Sequence, residues 1–147
     1  MKLKLSLAAA MFAVASLSAC GGGNDTTSPP VVYSPAALSK TDASVGTGTE
    51  AVGGKTVKVH YTGWLYNTTV ANFKGTQFDS SVGKAPFTFT IGANQVIAGF
   101  EQAVIGMRVG GKRTVLIPSA QGYGASGNQA VPPNSGLVFD LELVEVL

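Results

Sequence analysis

Four stretches of this chain alternate apolar and polar side chains with a period of two, and that rhythm limits what it can fold into. In KTVKVHYTGWLY, Val57, Val59 and Tyr61 fall on one face and Lys58 and His60 on the other. PFTFTI sets Phe87, Phe89 and Ile91 opposite Thr88 and Thr90, and GKRTVLIP is a third run, stopped by Pro118. GLVFDLELVEVL is the longest, with Leu137, Phe139, Leu141 and Leu143 against Val138, Asp140, Glu142 and Val144. Successive side chains of a strand point to opposite faces, so each run reads as a half-buried strand. Only NQVIAGFEQAVIGM carries helical spacing, at Val96, Ile97, Phe100 and Val104; Asn94 can cap its start and Gly106 suits its stop. Strands that bury one face, with one short helix to cover them, predict an α+β fold: an antiparallel sheet with the helix packed on one side.

The first 20 residues, MKLKLSLAAAMFAVASLSAC, follow a different logic. Two lysines precede an apolar run from Leu5 to Leu17. That is a secretory signal, too short for a comfortable membrane-spanning helix. Its end, Leu17-Ser18-Ala19-Cys20, resembles the lipobox of bacterial lipoproteins, and Cys20 is the only cysteine of the chain. The expectation is a signal peptide over 1–19, a lipidated Cys20 and a membrane anchor, stable because several acyl chains share the load. Gly21 follows the cysteine, so outer-membrane sorting is expected in a Gram-negative host, placing the protein in the cell envelope. Residues 21–35, GGGNDTTSPPVVYSP, are poor in core formers and read as a flexible tether. A globular domain then occupies 36–147.

Charge excludes several functions. Removal of Lys2 and Lys4 lowers Lys+Arg from 10 to 8, against 8 acids, so no basic stripe remains for nucleic acid. One cysteine allows neither an intrachain disulfide nor a cysteine metal cluster, and a lone His60 argues against a histidine metal site or triad. No metal or cofactor is expected. Arg108, Lys112 and Arg113 read as a solvated edge, His60 as an ordinary polar residue, and Trp64 as a sheet or rim residue. Residues 119–136 have no periodicity and much Gly and Pro; irregular segments of that length are usually functional or mobile.

Taken in order, VHYTGWL (59–65), FDSS (78–81), PFTFTIGANQVIAGFEQAVIGMRVGGKRTVLIP (86–118), YGASG (123–127) and VPPNSGLVFDLELVEV (131–146) resemble the FKBP-type peptidyl-prolyl isomerases, the small bacterial members above all. The resemblance covers nearly all of 50–147. It implies a strongly twisted antiparallel sheet wrapped around one short helix, with an apolar pocket between them. Transferred by position, Tyr61, Phe78, Asp79 and Phe87 line one side of that pocket. Val96 and Ile97 come from the helix start, Phe100 forms the floor where many relatives place Trp, Tyr123 and Val131 come from the long loop, and Phe139 comes from the last strand. The resemblance implies proline-containing polypeptide clients and rapamycin-type macrolide inhibitors. No segment resembles the helical dimerisation domain of larger periplasmic relatives, so a monomer is expected. Departures touch the rim: Gln95 replaces an acid, the loop from Asp79 to Phe87 lacks an arginine, Asn128 lies near a usual histidine position, and YNTTVANFKGTQ (66–77) is lengthened, predicting a bulge or flap.

Isomerisation of an X-Pro bond crosses a barrier of roughly 18–20 kcal/mol without making or breaking a bond. It needs no nucleophile, metal or cofactor. A twisted amide loses its charge separation, so an apolar pocket favours it over the planar ground state. Tyr61, Asp79, Phe100 and Tyr123 are the candidate catalytic residues; Phe78, Phe87, Val96, Ile97, Val131 and Phe139 are candidate substrate contacts. The Ile97 N–H is the expected anchor for a substrate carbonyl, with the Tyr123 hydroxyl assisting. Asp79, in FKGTQFDSSVGKAPFTF, is then no general acid, because no proton moves. Its expected role is to accept a hydrogen bond from Tyr61 as a buried acid; the alternative is a turn residue beside Ser80 and Ser81. The same pocket would also serve a binding module that holds proline-containing segments with little turnover.

Overall fold

The computed structural model describes residues 31–147, so the signal segment, Cys20 and the first part of the tether lie outside the described residues. The domain runs from Val32 to Leu147. Six strands form one sheet: β1 (Ser39–Ser44), β2 (Thr56–Tyr66), β3 (Lys74–Ser80), β4 (Phe87–Thr90), β5 (Lys112–Ile117) and β6 (Leu137–Val146). They lie in the order β1-β5-β6-β2-β3, with β4 also paired to β2, and all pairings are antiparallel. Among the described residues one α-helix, α1 (Ala98–Val104), packs on the sheet. The α+β expectation holds.

Alternation explains which face is covered. Val57, Val59, Phe89, Ile91, Val115, Ile117, Leu137, Leu141 and Leu143 are buried with Phe100, Ala103 and Val104 of α1. Fully burying each large aliphatic side chain is worth about 1.5–3 kcal/mol. The opposite face is polar: Lys74 Nζ lies 2.7 Å from Asp140 Oδ2 and 4.5 Å from the centre of the Trp64 ring, and Thr114 Oγ1 donates to Asp140 Oδ1 at 2.8 Å. Val138 breaks the alternation. It is fully buried on that second face, between Trp64 and Leu116 in the register.

Two strands escape the sequence pattern. SKTDAS, β1, is exposed at every position. In β3 apolar alternation is absent, and Phe78 is half-buried. The lengthened 66–77 segment is a turn at Ala71–Phe73 leading into β3, with register shifts between Gly63 and Trp64 and between Trp64 and Tyr66. The expected bulge is therefore present. Asn72 and Phe73 both take positive φ, 58° and 60°, and Phe73 stacks on Tyr66 at 5.1 Å.

The helix is shorter than its apolar spacing suggests. It starts at Ala98 after Ile97, with no side-chain cap, and Asn94 sits outside it at φ 58°. The reason is Glu101, whose carboxylate accepts the N–H of Gly92 at 2.8 Å and of Asn94 at 3.3 Å and so holds the chain in a turn. Gly106, at φ 88°, follows the helix as expected. Gly99 lets α1 approach β5, because a Cβ there would collide with Ile117.

Three further expectations are corrected. Tyr33 and Ser34, read as tether, are hydrogen-bonded to the domain: Gly136 N–H to Tyr33 O at 2.7 Å and Ser119 N–H to Ser34 Oγ at 2.9 Å. Val131 does not line a pocket; it is 1 % exposed and plugs the long loop into the core. Arg113 is no solvated edge residue. Its Nε donates to Asp42 Oδ1 at 2.6 Å, and its Nη1 donates to the carbonyls of Ala103 at 2.7 Å and Ile105 at 3.1 Å. A cation at a helix C-terminus satisfies carbonyls that have no partner within the helix.

The hydrogen bond from Arg113 holds the Asp42 carboxyl below its ordinary 3.8, partly opposed by burial. A depressed folded value contributes stability above the unfolded pKa, and that contribution is lost as pH falls through the folded value. Arg113→Met should therefore lower the unfolding free energy by roughly 2–3 kcal/mol at neutral pH, read from urea denaturation. Asp42→Asn should cost less, and its deficit should close in acid. A Met variant as stable as the parent would show that the clamp contributes nothing.

Candidate functional site

The strands and α1 leave a cleft of about 260 Å³ lined by Tyr61, Phe78, Asp79, Phe87, Gln95, Val96, Ile97, Phe100, Tyr123 and Phe139. Its walls follow from the local structure. Tyr61 continues the inward face of β2 beyond Val59, Phe139 is the inward residue of β6 paired with Gly63, and Phe87 opens β4. Gly63 makes room for two rings: a Cβ there would lie 2.7 Å from Phe139 Cε1 and 2.8 Å from Phe78 Cζ. Phe100, in the first turn of α1 and 4 % exposed, closes the floor.

The rings meet edge to face. Phe100 lies 5.2 Å from Phe139, 5.5 Å from Phe89 and 5.7 Å from Tyr61, and Phe78 lies 5.6 Å from Phe139. Such pairs add about 0.5–1.5 kcal/mol beyond area burial and fix ring orientation. Phe87 is the outermost ring, 5.9 Å from Tyr61 and stacked on Phe89 at 5.7 Å.

Polar groups sit at the rim. The Tyr61 hydroxyl donates to Asp79 Oδ2 at 2.7 Å, and Asp79 Oδ1 accepts the Ser80 N–H at 2.8 Å. Asp79 itself is exposed, which corrects the expectation of a buried acid. It combines the two roles held apart in the sequence reading, since one oxygen shapes the turn and the other holds Tyr61. Burial, then the hydrogen bond and charge of Asp79, push the Tyr61 phenol up to about 12. Burial, then the Asp79 charge, also raise Tyr123, with Asn128 pulling the other way. Among the described residues neither the Tyr123 hydroxyl nor the Ile97 N–H donates a hydrogen bond to another group, and both residues line the cleft. Tyr123 is held by its backbone: its carbonyl accepts the Gly127 N–H at 3.1 Å, and Asn128 Oδ1 accepts the N–H of Ala130 and of Val131, each at 2.8 Å.

Of the ten residues read from the sequence, nine line this cleft and Val131 lies beneath it. Gln95 also lines it; the sequence marked the position as a departure without a role. No cation lines it. A second groove of about 220 Å³ is lined by His60, Lys112, Arg113, Asp140 and Glu142 among others, and Tyr61 is its one carbocyclic aromatic residue.

The family profile described as FKBP-type peptidyl-prolyl cis-trans isomerase matches residues 48–144, which take in β2 to β5, most of β6 and the whole cleft. The chain belongs to that family. It is 48% identical over 107 residues to an FK506-binding protein of Neisseria meningitidis serogroup B, a match covering 71% of this chain and 92% of the relative. The crystal structure of AtFKBP13 superposes with a TM-score of 0.66 at 38% identity, covering 78% of this chain and 96% of that one. A peptidyl-prolyl cis-trans isomerase from Pseudomonas syringae pv. tomato gives 0.63 at 34% identity, covering 74% of each chain. This isomerase domain thus combines a family fold with an aromatic cleft.

The raised Tyr61 value carries a test. Protonated Tyr61 is favoured by the fold, so its contribution is full below pH 10.0 and lost as pH rises to about 12. Burial is the largest single cause. Asp79→Asn should therefore bring the Tyr61 ionisation only part of the way down, as read by absorbance titration against a Tyr61→Phe control. A return to 10.0 would assign the whole shift to Asp79.

Proposed function

We propose that this cleft accelerates X-Pro isomerisation in exported proteins, without a covalent intermediate or a cofactor. The observation that carries the reading is the make-up of the cleft: the rings of Phe78, Phe87, Phe100 and Phe139 lie in one lining with two groups that donate to nothing else, the Ile97 N–H and the Tyr123 hydroxyl. The proline ring would rest on Phe100 between Phe78, Phe87 and Phe139. The Ile97 N–H and the Tyr123 hydroxyl would take substrate carbonyls, and Val96 would flank the chain. Tyr61, its proton committed to Asp79, would act as a fixed wall. Rotation about the amide bond lowers its dipole, so a floor that solvates dipoles poorly favours the twisted state over the planar one.

The N-terminal signature supports an exported setting. A signal peptide ending before Cys20 would leave a lipid-anchored envelope protein, on the outer membrane of a Gram-negative host. The domain would act there as a monomer on proline-containing clients. The neisserial relative is named for binding FK506, which supports a macrolide of that type or of the rapamycin type as an inhibitor.

Purified full-length protein should accelerate isomerisation of a short X-Pro peptide, and a rapamycin-type macrolide should suppress the effect. No acceleration from folded protein would replace the enzyme reading with that of a peptide-holding module. Asp79→Leu should lower kcat/KM about tenfold, the usual worth of one charge-assisted hydrogen bond. Unchanged kcat/KM would remove Asp79 from the mechanism. In a Gram-negative host, Cys20→Ser should move the protein from the membrane fraction to the soluble fraction, and continued membrane association would refute the anchor.

A further inference from the structure

We propose that Gln95 is a specificity-determining residue, reading a hydrogen-bond acceptor on the residue beside the substrate proline. The inference rests on the cleft being the substrate site, as proposed above. Gln95 is exposed and is one of the residues lining the cleft, with Asp79, Phe87 and Val96 among the others. Its Oε1 accepts the N–H of Thr90, the last residue of β4, at 2.8 Å. Only the oxygen of an amide can accept that bond, so the contact fixes which end is which. The Nε2 group is left with two N–H donors, and neither has a partner among the described residues.

The turn that carries Gln95 is held from both sides. Glu101 accepts the N–H groups of Gly92 and Asn94, and Ala93 N–H bonds back to Thr90 O at 3.2 Å. An amide held in place before substrate arrives loses little conformational freedom on binding. The rest of the rim gives its donors a purpose. Asp79 is the one charged side chain lining the cleft, and both its oxygens already accept hydrogen bonds. A substrate Glu or Asp would therefore meet a like charge at Asp79. The Gln95 donors supply the missing partner. A donor already set in position favours the side chain that can accept from it over one that cannot.

The test uses the full chain and three peptides that differ only in the residue before proline: Ala, Glu or Lys. Gln95→Glu keeps an oxygen for the Thr90 N–H and replaces the two donors with an anion. The ratio of kcat/KM for the Glu peptide over the Lys peptide should fall about tenfold or more, the scale of a charge-assisted hydrogen bond. The Ala peptide should fall less than the Glu peptide, since it offers no side-chain acceptor. An unchanged ratio, or an equal fall for all three peptides, overturns the proposal and leaves Gln95 as a tie for Thr90. The wild-type rate on the Ala peptide separately tests the isomerase reading. If it is not accelerated, that reading fails, and the three peptides are compared by binding affinity, where the same ratio decides the role of Gln95.

Discussion

The Phe100 ring belongs to the hydrophobic core and to the cleft at once. On the core side it meets Phe89 at 5.5 Å; on the cleft side it meets Tyr61 at 5.7 Å and Phe139 at 5.2 Å. Its place depends on Gly99, whose missing side chain lets α1 lie against Ile117. Protein interiors are packed like crystals, so a side chain in contact on all sides has one position. The cleft floor inherits that rigidity. A binding surface made from the end of the core needs no ordering step when a substrate arrives, which keeps the entropic cost of binding low.

A seven-residue helix could not hold the ring alone, since short helices are marginal without tertiary contacts. Two charged side chains fix its ends. Glu101, inside the helix, reaches back to the turn at Gly92 and Asn94. Arg113, from the sheet, takes the Ala103 and Ile105 carbonyls and pairs with Asp42. The second tie reaches unexpectedly far: β1, with no buried residue, is joined through Asp42 and Arg113 to the helix that carries the cleft floor.

These couplings explain which parts of the molecule were legible in the sequence. Strands β2, β4, β5 and β6 each bury one face, and burial leaves a period of two in the side chains. Edge strands β1 and β3 bury no alternating face, so pairing through backbone hydrogen bonds leaves no such mark. The same period placed Tyr61 and Phe139 on the inward face, so the aromatic walls could be read residue by residue with the help of the family resemblance. Arg113 could not, because its acid partner is 71 residues away. Val131 was misplaced for a related reason. A loop valine near the pocket in sequence is turned into the core by bonds from its own loop, among them Asn128 Oδ1 to the Val131 N–H. The late helix start has the same origin, in a Glu101 contact that local spacing does not encode.

Asp79 shows why exposure matters to the chemistry. A carboxylate sealed among phenylalanines would need strong partners to stay charged. Asp79 instead stands at the rim, open to water, with one oxygen on Tyr61 and the other on the Ser80 N–H. It need not act through a desolvated charge. Its effect is to make two similar phenols unequal. The Tyr61 proton is committed and its ring becomes part of the wall, while the Tyr123 proton remains available. In the proposed reaction no proton is transferred, so donor count and donor position decide the outcome. Donors at the rim hold carbonyls whose charge changes little as the bond turns. Beneath the turning amide, whose dipole falls, the rings of Phe100 and Phe139 offer none. An added polar group at the floor would hold the planar amide better than the twisted one, and so oppose the very step that the apolar rings favour.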